Sequence, residues 1–377
     1  MALLNARLVH LDLKGSPLKI DFLEKIFQSF HKWGATGVLI EWEDTFPYFG
    51  RLASIGSRNT KTSAYSDLEV QRIHAIAEEN KLTVIPLVQT FGHLEFVLKH
   101  PEWKDLREVA RYPSSLCPSH PLALQLVTEM IDQILSLSPP SLQFIHIGAD
   151  EVWHIGLCDL CTIIPKHRIF LSHVLAVLRY IKQKYPLLRP IMWDDMMRSM
   201  NQETLTEFNL GDFVEPMVWH YQPANTFCLS DDMWRKYSLV FPNIWIASVY
   251  KGASGSCQLL PIAFQHVSNH EHWLQIVVGL LDRFRKVRGI VLTGWSRYDH
   301  YAALCELLPP AIPCLALCLR VLLSGRFSLD LHKSVSASLG FVDYPSPLNP
   351  FPRPQVITQD LKYPGWKVTV AVEWLAN

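Results

Sequence analysis

The 377-residue chain is predicted to be an α/β protein, a (β/α)8 (TIM) barrel with a short Pro-rich C-terminal extension. Three observations predict it. Eight short apolar stretches alternate with longer helical ones, the rhythm of βαβ units and a parallel sheet. Eight such units suit a closed barrel better than an open sheet, which usually has fewer strands. No Gly-x-Gly-x-x-Gly follows the first strand, which removes the most specific sign of a dinucleotide-binding sheet.

In chain order, the strand candidates Arg7–Leu13 and Gly37–Glu41 come first. Ser66-Asp67-Leu68-Glu69 then reads as a capping box. It opens a helix that runs to Asn80 and sets Val70, Ile73, Ile76 and Ala77 on one face. Strand Leu82–Gln89 is followed by helix Leu122–Leu137, and strand Leu142–Gly148 by helix Ile169–Lys184. The run Leu142–Ile147 is short and β-branched, as a buried strand should be. Strands Pro190–Asp194, Val214–His220 and Ile244–Tyr250 lead to helix His270–Arg288, strand Gly289–Trp295 and helix Ala302–Leu323. The barrel is assigned residues 1–340. Residues 341–377 form the second segment, with a Pro-rich linker over Tyr344–Pro354 and a tail, Trp366–Leu375.

Composition narrows the function. Apolar residues make up 49% and charged residues 19%, enough for a large core and against wholesale disorder. Lys+Arg and Asp+Glu balance at 35 each, so nothing points to nucleic acid or an anionic membrane. Residues Met1–Arg7 lack the pattern of a secretory signal. The longest apolar run, Ala311–Leu323, contains Pro313 and Arg320 and is too short to cross a bilayer. Eight cysteines are scattered without a disulfide framework, and no Asn-x-Ser/Thr occurs. The expectation is a cytoplasmic protein, with the nucleus also open to it, neither secreted nor membrane-bound.

Barrel enzymes carry their chemistry where the strands end. Here those ends are polar and aromatic: Asp12 and Lys14; Glu41, Glu43 and Asp44; Gln89 and His93; Asp150 and Glu151. The later strands end in Trp193, Asp194 and Asp195; Trp219, His220 and Tyr221; Tyr250 and Lys251; Trp295, Arg297, Tyr298 and Asp299. Three tryptophans among polar groups suit a sugar, which offers an apolar face and a hydroxyl edge. They could equally fill the barrel core. The Asp150-Glu151 pair either sits at a helix N-terminus or forms a working acid pair, with one pKa raised by its neighbour. His93 reads equally as a structural histidine or an active-site one.

Other patterns are weaker. Glu151-x-x-His154 has a metal-ligand spacing but no second such motif. A metal-dependent hydrolase would draw on His146, Asp150 and His154. Cys158-x-x-Cys161 lacks a partner Cys-x-x-Cys, although His154 and His167 are near in sequence, and reads as loop thiols rather than zinc ligands. Gly252-Ala253-Ser254-Gly255 reads as a loop after the seventh strand.

His-x-Gly-x-Asp-Glu, residues His146–Glu151, resembles the signature of the family 20 glycoside hydrolases, the β-N-acetylhexosaminidases. Leu8–Gly15, Ile85–His93, Trp193–Met196 and Leu292–Tyr301 resemble the same family in the same order, over residues 7–335. The resemblance implies a retaining exo-enzyme that removes terminal β-linked GalNAc or GlcNAc, using the substrate's acetamido oxygen as nucleophile through an oxazolinium intermediate. Glu151 would be the general acid/base, and Asp150 would hold the acetamido group. Trp193, Trp219 and Trp295 would wall the sugar pocket, with His93 supporting the acid pair. Asp194, Glu41 and Arg297 would complete the rim.

This sequence departs from the family pattern in places. Phe91 stands where proline is usual, and Val249-Tyr250-Lys251-Gly252 replaces a Tyr-x-Asp that grips the acetamido carbonyl. Tyr221 is the first candidate for that grip and Tyr250 the second. Arg297 replaces a glutamate, to be balanced by Glu41 or Asp44, and His220 stands where an acid is expected. No cofactor and no metal are expected. The expected partner is a glycoconjugate or small molecule with a terminal β-N-acetylhexosamine, and a homodimer is left open. A catalytically weak or inactive glycan-binding barrel and a metal-dependent barrel hydrolase are the alternatives.

Overall fold

The computed structural model describes residues 3–56, 64–342, 344, 347–349 and 356–376. Among these residues ten strands occur in chain order: β1 (Ala6–Asp12), β2 (Gly37–Glu41), β3 (Thr83–Leu87), β4 (Arg107–Val109), β5 (Tyr112–Leu116), β6 (Phe144–His146), β7 (Arg189–Trp193), β8 (Glu215–Trp219), β9 (Asn243–Lys251) and β10 (Lys286–Gly294). Eight of them close into a parallel barrel in the order β1-β10-β9-β8-β7-β6-β3-β2. Leu8 pairs with Val291 on one side of β1 and with Gly37 on the other, which closes the ring. Each of the eight predicted strands is present. The antiparallel hairpin β4–β5 was not expected; its strands are short, charged and interrupted by Pro113.

The period-2 pleat sorts each strand into two faces. Leu8, Leu39, Ile85, Leu87, Ile191, Trp193, Met217, Trp245 and Val291 fill the barrel interior. Val9, Leu11, Val38, Ile40, Met192, Val218, Ile246 and Leu292 point outward into the layer shared with the helices. Burying a side chain of this size stabilises the fold by about 1.5–3 kcal/mol. At the N-terminal end, Arg288 and Glu215 form a bidentate pair, and Glu215 also accepts the Trp245 indole N–H at 3.0 Å. That end is built for stability, leaving the opposite mouth for chemistry.

The capping box at Ser66 is formed, and its helix runs over Asp67–Glu79. Helices Ala123–Ser136 and Lys166–Lys184 also match expectation. Two helices differ. The helix expected over His270–Arg288 spans Ala263–Leu280, because buried His266 and His270 belong to its apolar face and Lys286 already pairs with Asn243 in β10. The helix expected from Ala302 begins at Leu308, where Pro309 and Pro310 occupy the first turn, whose N–H groups need no helical partner. The strand expected to reach Gly148 ends at His146, since Gly148 and Ala149 both turn left-handed.

Much of the Pro-rich stretch 344–354 lies outside the described residues. After helix Leu329–Leu339, the helix Trp366–Ala376 packs against helix Leu308–Ser324. No helix among the described residues is long and apolar enough to cross a membrane.

Candidate active site

At the C-terminal mouth of the barrel a cavity of about 220 Å³ is lined by residues from every part of the ring. That is below the ~300–1,000 Å³ of pockets for drug-sized ligands, and suits a single small ring. Trp193, Trp219, Trp295 and Tyr221 give it aromatic walls, and Asp150, Glu151, Glu41, His93 and Arg297 give it polar ones. Trp193 and Trp295 lie 6.0 Å apart at 51°, and Trp219 and Tyr221 5.0 Å apart. The Trp295 indole donates to Tyr221 Oη at 3.3 Å, fixing both rings.

The segment after β6 aims both carboxylates at this space. Gly148, Ala149 and Glu151 have φ of 62°, 68° and 46°. Left-handed backbone costs a non-glycine residue about 1–2 kcal/mol, so the segment must be held from outside. Two side chains do so. Gln89 Oε1 accepts the Ala149 N–H at 3.3 Å, and Asp195 Oδ2 accepts the Glu151 N–H at 2.9 Å. Gly148 has a second constraint, for a Cβ there would lie 2.0 Å from Gln89 Oε1. Gln89 Nε2 also donates to Glu41 at 3.1 Å and Asp150 at 3.2 Å, joining the acids of β2 and β6.

His93 Nε2 lies 3.5 Å from Asp150 Oδ2 and 3.3 Å from Glu151 Oε2. Burial opposes its charge, but the two carboxylates outweigh burial and raise its pKa to about 9. The two carboxylates of the pair shift in opposite directions. The hydrogen bond from His93 holds Glu151 below its ordinary value despite partial burial. Burial lifts Asp150, with Glu41 and Glu151 adding to the lift and His93 opposing it. The asymmetry follows exposure, since the Asp150 side chain is 10% exposed and that of Glu151 37%.

Glu41 is fully buried beside His10, whose Nε2 lies 3.1 Å from its Oε2. Burial would raise the Glu41 carboxyl, but the His10 hydrogen bond and the Lys14 charge hold it well below the carboxylate range. Arg297 Nη2 donates to His300 Nδ1 at 2.8 Å, and His300 Nε2 contacts Glu43 at 2.5 Å. Burial keeps His300 neutral, which fits a ring that accepts at Nδ1 and donates at Nε2. Arg297 is therefore tied to Glu43 through His300, not to Glu41 or Asp44 directly.

Two expected rim residues stand elsewhere. Asp194, in the turn that follows β7, is fully buried away from the cavity, where it binds Arg198 at 2.7 Å and Tyr237 Oη at 3.1 Å. Its neighbour Asp195 lies behind the cavity wall, where it accepts the Trp219 indole N–H at 3.2 Å. Tyr250 likewise points outward into the helix-facing core, with its hydroxyl donating to His10 O at 3.3 Å. Tyr250 also crosses Gly294, where a Cβ would fall 2.3 Å from the hydroxyl. His220 is outward too: its Nε2 accepts the Cys228 N–H and its carbonyl accepts from Asn269 and Trp273. The structure keeps His146, Asp150 and His154 apart as a metal set. His146 Nδ1 accepts the Gly148 N–H below Trp193, whereas His154 stacks on Tyr112.

Gln89 and Lys14, strand ends with no role assigned from sequence, line the cavity, and Asp195 supports it through Glu151 and Trp219. Counting in twos from Leu87 reaches Gln89, a signal present in the sequence; the turn after Trp193 leaves no such count for Asp195. Lys14 sits 3.7 Å from both Asp12 and Glu43 and lines the cavity beside Trp295.

Comparison with known proteins bears on this geometry. The sequence profile described as "Glycosyl hydrolase family 20, catalytic domain" matches residues 29–227. A Bos taurus protein named hexosaminidase D is 43% identical over 343 residues, covering 89% of this chain and 96% of its own length. The Homo sapiens hexosaminidase D is 43% identical over 342 residues, covering 89% of this chain and 69% of its own. Among solved structures, a β-N-acetylhexosaminidase from Bacteroides fragilis shares the fold with a TM-score of 0.64 at 15% identity. That match covers 89% of this chain and 70% of the other.

Proposed function

Because the chain belongs to glycosyl hydrolase family 20, we propose that it is a retaining exo-β-N-acetylhexosaminidase removing terminal β-linked GalNAc or GlcNAc from a glycoconjugate. The observation that carries the proposal is the convergence of Asp150 and Glu151 on one small aromatic cavity. No second carboxylate is required as nucleophile. The substrate's acetamido oxygen attacks the anomeric carbon, and the glycosidic bond breaks as an oxazolinium ring closes. Asp150 accepts the acetamido N–H, orients the group and stabilises the positive charge as it develops. Glu151 gives its proton to the leaving oxygen and then takes one from the water that opens the ring.

Trp193, Trp219 and Trp295 supply apolar surface for the sugar faces, and Tyr221, tied to Trp295, supports the acetamido carbonyl in place of the missing Tyr-x-Asp. Closure of the small cavity behind a single ring favours removal of terminal residues. A sugar filling the cavity strips water from half-exposed Glu151, which favours its protonated form at the moment it must act as an acid.

The test compares aryl β-N-acetylhexosaminides with good and poor leaving groups. Glu151→Gln should slow the poor leaving group far more than the good one, because only the poor one needs the proton. Asp150→Asn should slow both. Equal losses on the two substrates for Glu151→Gln would remove it from the acid role.

A further inference from the structure

The segment after Glu151 carries a second cluster of reactive side chains, outside the cavity. Cys158 and Cys161 lie between Glu151 and helix Lys166–Lys184, Cys117 follows β5, and Glu108 lies in β4. One sulfur or carboxylate oxygen from each falls within 4.8 Å of all the others. The lone Cys-x-x-Cys thus finds its two missing companions on the hairpin, not in His154 or His167.

The spacings favour a metal over a disulfide. Cys117 Sγ is 3.4 Å from Cys158 Sγ and 3.7 Å from Cys161 Sγ, and all three thiols are free. A disulfide needs sulfurs about 2.05 Å apart. A tetrahedral ion with Zn–S bonds of about 2.3 Å sets its sulfurs about 3.8 Å apart. Glu108 supplies an independent observation. It is 2% exposed, and its Oε1 accepts the Leu157 and Cys158 N–H groups at 2.6 and 3.1 Å. Its Oε2 is buried and makes no regular hydrogen bond; its neighbours are the Cys158 and Cys161 thiols, weak S–H donors that a cation held by the same groups would replace.

We propose that Glu108, Cys117, Cys158 and Cys161 form a structural zinc site that clips the loop behind Glu151 to the β4–β5 hairpin. Three soft thiolates select zinc over magnesium, calcium or manganese, and four protein ligands leave no open position for catalysis. Binding displaces a proton from each thiol that arrives protonated, so zinc uptake releases protons. The hairpin is in turn bonded to the His93 segment through Leu94 N–H to Ser114 O and Leu116 N–H to Phe91 O, at 3.0 and 3.1 Å. The ion therefore braces His93 against Glu151. This last step rests on the proposed function; zinc binding itself does not.

The full chain, made with zinc present and dialysed against a weak chelator, should hold one zinc per molecule by elemental analysis. Cobalt(II) added to the metal-free chain should show thiolate-to-cobalt charge-transfer absorption and displace protons. Cys158→Ser should weaken zinc binding by more than the ~10–100-fold seen on losing an outer-shell partner. Cys257→Ser, an exposed thiol outside the cluster, should change nothing. Activity and zinc content are read separately, so an inactive chain that binds zinc sinks only the proposed function. Failure of the wild-type chain to take up zinc or cobalt stoichiometrically overturns the site, as does a Cys117–Cys158 disulfide found by counting thiols in the unfolded protein.

Discussion

Replacing Asp195 separates the positioning of Glu151 from the proton transfer proposed for it. Asp195 accepts two hydrogen bonds, from the Glu151 N–H at 2.9 Å and the Trp219 indole at 3.2 Å. The first holds a residue at φ 46°, a conformation that costs about 1–2 kcal/mol. A hydrogen bond contributes about 0.5–1.5 kcal/mol, and up to about 3 when the acceptor is ionised, so the bond offsets the strain. Asp195→Ala removes both bonds and frees the Glu151 peptide to relax away from the cavity. Taking about 1.5 kcal/mol per bond, kcat/KM should fall about a hundredfold, since 1.36 kcal/mol is tenfold. Asp195→Asn keeps one acceptor but turns an amide N–H against the other donor, so its loss should be nearer tenfold. The assay is kcat and KM on an aryl β-N-acetylhexosaminide, with circular dichroism and Tm confirming the fold. Leaving-group sensitivity should stay as in the wild type, unlike that of Glu151→Gln. A folded Asp195→Ala protein that keeps more than a third of its activity would refute the reasoning, as would an Asn variant worse than the Ala one.

Further outcomes follow from neighbouring contacts. His93→Asn removes the hydrogen bond that holds Glu151 low, so the basic limb of the kcat/KM–pH profile should move to higher pH; an unmoved limb would show that His93 does not control the acid. Burial and the nearby Asp150 charge raise Asp195 to about 7, above its unfolded value of ~3.9. Its contribution to stability is therefore complete below the unfolded value and lost as pH rises through about 7. Asp195→Asn should accordingly flatten the dependence of Tm on pH between these limits, which thermal melts across that range would check. Tyr221→Phe should impair turnover, whereas Tyr250→Phe should leave kcat nearly unchanged and cost about 1 kcal/mol of stability, read from urea titrations of both variants.

The barrel was legible because its signals are local and repeated: a short apolar run, a capped helix, and again. Most of the cavity was legible for the same reason, since a strand end is a place in the sequence. Nearness to a strand end does not by itself place a side chain in the cavity. Tyr250 shares the outward parity of Ile246, and Asp194 lies in the turn after Trp193, where the pleat no longer sets direction. Gln89 keeps the inward parity of Leu87. The hairpin carrying Glu108 and Cys117 left no such trace. Its strands are too short to show a period, and its proposed role depends on a contact across 41 residues between Cys117 and Cys158.

Adjacency in sequence was also a poor guide to the charges of the acid pair. Two neighbouring carboxylates repel each other equally, so repulsion alone cannot say which of them is pushed up. What breaks the symmetry is the surroundings. Asp150 points down to Gln89 and Glu41 and loses its water, while Glu151 stays half-exposed and takes the hydrogen bond of a raised histidine. The free protein thus holds its proposed acid as a carboxylate, with the proton on His93 some 3.3 Å away. On the proposed mechanism, a sugar must reverse that arrangement. Its acetamido N–H supplies Asp150 with the donor that favours the ionised form, and its ring strips water from Glu151, which favours the neutral one. Part of the binding energy of a terminal N-acetylhexosamine is then spent arming the acid, and a sugar lacking the acetamido group would bind without doing so.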